Sequence, residues 1–165
     1  MTQVYLQGKA CQTNGDLPAV GRQAPDFSLI SNDLKTKNLG SYSDVKKLIY
    51  IVPSLDTMVC AKTTKALNAL AEDWEAIQLL VVSADLPFAQ QRFIKQSKLK
   101  NITTLSMMRD KQFATDYGVL LVDGPLAGLA ARAVLVLDRD NKIQHTELVS
   151  DITRSPDFDQ IQHYF

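Results

Sequence analysis

LIYIVPSLDTMVCAKTTKALNALAEDW, Leu48 to Trp74, is the stretch on which the fold turns. Leu48–Val52 is an unbroken apolar run, as expected of a strand covered on both faces. Further on, Leu67, Leu70, Ala71 and Trp74 recur at helical spacing on one face, which marks them as core. Between strand and helix, at about the first helical turn, sits Cys60, one of only two cysteines in the chain.

Outward from this unit the pattern repeats. Gln78–Ser83 reads as a second buried strand, Phe88–Gln96 as a helix and Thr103–Met107 as extended. Asp110–Tyr117 is helical and stops at Gly118, a C-terminal cap. Ala131–Leu137 and Lys142–Val149 are strands joined by the polar turn Asp138–Asn141. Pro156 opens a last short helix running to Phe165, with proline at a tolerated first-turn position. Towards the N-terminus, VYLQG and ACQT form a small hairpin around Gly8–Lys9. The loop Asn14–Pro25 is punctuated by glycine and proline. The segment DFSLI is a short strand, Asn32–Asp33 begins a turn, and a second short segment lies near Lys37–Leu39. The order is that of an α/β domain spanning residues 1–165, with flanking helices and a mixed central sheet, because the final hairpin must be antiparallel.

The chain has 165 residues with 45% apolar content, enough for one domain with one core. Lys+Arg and Asp+Glu both number 18, so no electrostatic footprint for nucleic acid or polybasic membrane patch is present. The N-terminal MTQVYLQGKACQTNGD has no basic n-region and no unbroken apolar stretch, so no secretory signal is expected. No apolar run approaches a transmembrane span. Two cysteines do not make a disulfide scaffold, and a reducing, cytoplasmic setting fits them.

A helix start presents unpaired N–H groups and the positive end of the macrodipole, and a thiolate there is stabilised. Thr57, three residues earlier, can set its hydroxyl beside the sulfur. Pro53 fixes its own φ and restricts Val52, so the loop leaves the strand in few directions. A free cysteine in this position also serves simply as a small apolar filler. Arg132, at the start of the strand AARAVLVL, is the candidate counter-charge; at that position an arginine can equally snorkel to solvent.

Pro53, Thr57 and Cys60 fit the P-x-x-x-T-x-x-C active-site pattern of the peroxiredoxins. PSLDTMVC, SADLPFAQQRF and DGPLAGLAARAV, in that order, resemble the bacterial thiol peroxidase subfamily, as do APDFSL and LVSDITRSPDF. The resemblance covers nearly the whole chain. It implies a thioredoxin-like fold with an added N-terminal β-hairpin, and reduction of hydroperoxides without a metal or organic cofactor. It implies Cys60 as the peroxidatic nucleophile, Thr57 and Arg132 as its partners and Pro53 as a pocket wall. It further implies a homodimer, some preference for alkyl hydroperoxides, and thioredoxin or another thiol as reductant.

One departure stands out. Most members of the subfamily carry a resolving cysteine directly after the RF of SADLPFAQxRF, where this chain has Ile94. The other cysteine, Cys11, lies in the expected hairpin, either as a substitute resolving thiol or as an incidental strand residue. The second case leaves a one-cysteine cycle with an external thiol. A redox-sensing protein that passes oxidation of Cys60 to a partner thiol is the alternative to an enzyme. Elsewhere, His145 and His163 do not suggest a shared metal site. No phosphate-binding glycine motif occurs, and DGPLAGLAARA reads as a shaped loop. Glu72, Asp73 and Asp85 read as solvated or capping charges.

Overall fold

The computed structural model describes residues 1–165. The N-terminal hairpin joins β1 (Gln3–Leu6) to β2 (Lys9–Gln12), paired from Gln3↔Gln12 to Leu6↔Lys9. Its two-residue turn is Gln7–Gly8, at φ 51° and 80°, the doubly positive geometry that matches strand twist. The turn thus falls one residue earlier than expected. Next come β3 (Leu29–Ser31) and β4 (Thr36–Lys37), an antiparallel pair. DFSLI is therefore strand only at its end. The Asp26 carboxylate accepts from the amides of Phe27 and Leu39, so this stretch follows a side-chain-held loop. Leu39–Tyr42 is a 3₁₀ turn capped by Asn38.

The centre follows as β5 (Lys46–Ile51), α1 (Met58–Leu70), β6 (Ile77–Ser83), α2 (Pro87–Ser97), β7 (Thr103–Ser106) and α3 (Gln112–Asp116). The chain closes with β8 (Ala133–Leu137), β9 (Ile143–Leu148) and α4 (Phe158–Gln162). The seven-stranded sheet runs β4-β3-β7-β6-β5-β8-β9. β5, β6 and β7 are parallel, whereas β8 pairs antiparallel with β5 and β9 antiparallel with β8.

Alternation along β5 divides the interior in two. Ile49 and Ile51 join a 24-residue cluster with Val4 and Cys11 of the hairpin and Phe113 of α3. Leu48, Tyr50 and Val52 face the other way, into a 12-residue cluster with Cys60, Leu67 and Ile161. Both faces of β5 are therefore dry, which is why its sequence is a continuous apolar run.

Two further expectations are corrected. Leu70 is only half-buried, because α1 gives way to a 3₁₀ turn at Ala71–Asp73 that breaks the helical phase. Trp74, also half-buried, does pack against the 12-residue core, beside Phe165 with ring centroids 4.7 Å apart. The last helix is shorter than Pro156–Phe165, because Asp157 caps it by accepting from Gln160 N at 3.1 Å, leaving Pro156 outside. Gly118 does follow α3, at φ +68°. A side chain there would also strike the Asp16 backbone, with a Cβ only 2.1 Å from Asp16 O.

Candidate active site

The loop between β5 and α1 leaves the sheet after Val52 N bonds to Val82 O at 3.0 Å. Ser54 O then accepts from Thr57 N at 3.3 Å and from Thr57 Oγ1 at 3.1 Å. Thr57, extended at φ −84° and ψ 143°, is the N-cap of α1 and accepts from Cys60 N at 3.4 Å. Its hydroxyl is thereby committed to backbone groups, and it holds the sulfur through the cap. Cys60 is the third helical residue and is 1% exposed.

Arg132 directly precedes β8 and is also only 1% exposed, so it does not snorkel. Its Nη2 donates to Cys60 Sγ at 3.0 Å, Nε to Ile152 O at 3.0 Å, and Nη1 to the Tyr50 hydroxyl. The sole ion pair in the structure is Lys35–Asp33, so Arg132 has no carboxylate partner. A buried guanidinium keeps its charge, and an uncompensated buried charge costs several kcal/mol. Tyr50 does not supply the anion. Burial pushes its ionisation well above the usual phenol range and the neighbouring cysteine adds to this, despite the opposing pull of Arg132. The remaining side-chain partner of the Arg132 fork is the Cys60 sulfur.

A cavity of about 300 Å³ opens onto this sulfur. Pro53, Thr57, Met58 and Val59 form one side, Leu126 and Arg132 another, and Ile152 and Thr153 a third. Leu6 and Gln7 of the hairpin complete the rim. The hairpin is held there by Tyr5 N to Ser150 O and Ile152 N to Tyr5 O, both 2.8 Å. The walls are chiefly apolar, with the cation and the thiol together in the depth. Such a site suits a small molecule whose reacting end is polar. The loop DGPLAGLAA folds back on Leu121 before it, through Leu121 N to Leu129 O at 2.9 Å and Gly128 N to Leu121 O at 2.8 Å. It places Leu126 in the cavity lining and Arg132 immediately before β8.

Cys11 lies elsewhere. It is buried in β2 within the other core, with its thiol directed at Lys9 O, and both cysteines are free. Ile94 is half-buried in the last turns of α2. His145 stacks against Tyr164 at 5.3 Å, and no three His, Cys, Asp or Glu side chains gather as a metal site.

Asp85, read as a solvated or capping charge, is the second of these: half-buried, its carboxylate accepts from Ser54 Oγ at 2.6 Å, Leu55 N at 2.7 Å and Ser83 Oγ at 2.7 Å. Glu72 and Asp73 are exposed as expected. Tyr50 was also hidden in its sequence context, since an aromatic residue inside LIYIV looks like plain core.

Comparison with known proteins bears on this arrangement. The Redoxin family model matches residues 19–162. A thiol peroxidase of Leptospira interrogans serovar copenhageni is 43% identical over 160 residues, covering 96% of this chain and 94% of that protein. The crystal structure of a peroxiredoxin-like protein from Aquifex aeolicus superposes with a TM-score of 0.93 at 37% identity, covering 99% of this chain and 95% of the other. A thiol peroxidase from Chromobacterium violaceum gives 0.92 at 27% identity, with 98% and 94% covered.

Proposed function

Because the chain belongs to the Redoxin family, and to the thiol peroxidases within it, we propose that Cys60 is the nucleophile with which it reduces hydroperoxides. The protein is a thiol-dependent peroxidase on a thioredoxin-like, mixed α/β fold. One observation carries the assignment of the site: a buried arginine without a carboxylate donates to the sulfur of Cys60. The Cys60 thiolate attacks the terminal peroxide oxygen in line with the O–O bond. The S–O bond forms as O–O breaks, the sulfur becomes a sulfenic acid, and the departing oxyanion takes a proton from water to leave as alcohol or water. Arg132 follows the negative charge from sulfur to leaving oxygen, an oxyanion-hole arrangement, while Thr57 holds the helix start and Pro53 walls the cavity.

Return to the thiol needs two external thiol groups, from thioredoxin or another reductant. The first forms a mixed disulfide with Cys60 and releases water, and the second displaces it, restoring the Cys60 thiol. A one-cysteine cycle is supported by Ile94 at the family's resolving position and by Cys11 lying in the other core. Residues 1–165 act as one domain. A homodimer is supported by the exposed apolar residues Met58, Leu86, Phe88 and Met108, which follow the C-terminal ends of β5, β6 and β7. Two free cysteines fit a reducing, cytoplasmic setting. No helix is long and apolar enough to cross a membrane.

The test is peroxide consumption with excess dithiothreitol. Cys60→Ser abolishes it, whereas Cys11→Ser retains most of it. Consumption that stops after one equivalent per Cys60 would restore the redox-relay alternative. Comparable loss in both variants would make Cys11 the resolving thiol.

A further inference from the structure

We propose that Asp85 is a positioning residue for this reaction: its carboxylate clamps the loop between β5 and α1 and so keeps Cys60 in its reactive place. The proposal rests on Cys60 being the nucleophile. Asp85 is itself firmly held. Its carbonyl accepts from Ser106 Oγ at the end of β7, and Ser83 Oγ, which donates to its carboxylate, accepts from the buried Gln90 of α2 at 3.0 Å. Gln90 also donates to Leu105 O at 2.9 Å, tying α2 to β7.

From this anchored side the carboxylate reaches across to Ser54 Oγ at 2.6 Å and Leu55 N at 2.7 Å. Ser54 Oγ accepts in turn from Asp56 N at 3.1 Å, Ser54 O accepts from Thr57 Oγ1 at 3.1 Å, and Thr57 accepts from Cys60 N. A chain of hydrogen bonds, joined through the covalent frame of Ser54, therefore runs from Asp85 to the Cys60 amide. No cation pairs with Asp85, so neutral donors, two of the three from the loop, carry its charge. Hydrogen bonds to a charged acceptor are roughly twice as strong as neutral ones. A displacement of about 1 Å at a reacting group can cost on the order of 100-fold in rate.

The clamp acts oppositely on the two halves of the cycle. A peroxide is small enough to meet Cys60 inside the cavity. A thiol reductant is larger than hydrogen peroxide and has to reach the same buried sulfur through that cavity, and parting of the loop from Asp85 eases its approach. Removing the carboxylate therefore slows oxidation and speeds reduction.

The experiment compares wild type, Asp85→Ala and Ser54→Ala in single turnovers. It measures Cys60 oxidation by hydrogen peroxide, reduction of the preformed sulfenic acid by dithiothreitol, and amide exchange at Leu55 and Cys60. Asp85→Ala oxidises about tenfold more slowly or worse, is reduced faster, and exchanges faster at Leu55 and Cys60. Amides of Tyr50, Val81 and Val134 keep wild-type protection. Ser54→Ala, which leaves two of the carboxylate's bonds, moves the same way by less, and serves alone if Asp85→Ala does not fold. Wild-type rates in both steps, slowing of both together, or loss of protection at Tyr50, Val81 and Val134 would overturn the proposal. If wild-type Cys60 is inert to peroxide, the function reading fails, and the exchange at Leu55 and Cys60 still decides whether the clamp exists.

Discussion

Arg132 distributes one planar fork among three acceptors: the Ile152 carbonyl, the Tyr50 hydroxyl and the Cys60 sulfur. Arg132→Met keeps much of the stem volume and removes the fork, so Cys60 loses its cation and its charge-following donor at once. Single-turnover oxidation by peroxide should fall about 100-fold, the usual loss for one oxyanion donor. Arg132→Lys should recover little of it, because a single ammonium does not serve three fixed acceptors as a rigid fork does. An Arg132→Met rate equal to wild type would remove the guanidinium from the reaction. At this scale legibility follows distance along the chain. Pro53, Thr57 and Cys60 lie within one loop and one helical turn, so local rules place them together. Arg132 is 72 residues from Cys60, and an arginine opening a strand faces solvent as readily as core until the sheet is assembled. The partners of Asp85 were hidden for the same reason: the donors Ser54 and Leu55 that satisfy it reach it only through the parallel pairing of β5 with β6.

Among the elements, those buried on both faces were legible and those held by single side chains were not. β5, β6 and β8 were marked by continuous apolar runs within one or two residues of their bounds. β3 and α4 were misjudged because Asp26 and Asp157 satisfy backbone amides that periodicity does not report. The start of α4 carries a further consequence. Asp157 N donates to both carboxylate oxygens of Glu147 on β9, at 2.9 and 3.2 Å. Burial nonetheless holds Glu147 above the usual carboxylate range, and the nearby Asp157 charge adds to it, against the lowering effect of that amide and of His145. With the folded pKa above the unfolded value of about 4.3, the folded state binds the proton more tightly in the interval between the two. Glu147 therefore adds stability as pH falls through that interval and withdraws it as pH rises. Glu147→Gln should remove this component. Denaturant unfolding of both proteins across the mildly acidic range checks it, and parallel pH profiles would show that Glu147 titrates alike folded and unfolded.

Across the whole molecule the sheet is a partition: Cys11 belongs to the 24-residue core and Cys60 to the 12-residue core on the other face. A disulfide requires Cα atoms within about 7 Å, which two thiols packed in different cores reach only by extensive rearrangement. On the proposed one-cysteine cycle, with Ile94 at the position where the subfamily pattern has a cysteine, a sulfenic acid on Cys60 would wait for an outside reductant. During that wait a second peroxide oxidises it irreversibly to sulfinic acid. The chain should therefore lose activity at lower peroxide than relatives that bear the resolving cysteine. Ile94→Cys returns a thiol to α2, the helix that follows the Asp85 turn; on the proposed clamp, the loop would leave that carboxylate for Cys60 to bond it. In a peroxide titration followed by mass, Ile94→Cys should divert Cys60 into a disulfide with the introduced thiol and accumulate less sulfinic acid than wild type. Combining it with Ser54→Ala, which weakens the hold on the loop, should increase the diversion further. Equal sulfinic acid in wild type and Ile94→Cys, with Cys11 unbridged, would mean that loop opening rather than the missing thiol limits protection, and only the Ser54→Ala combination would then lower over-oxidation.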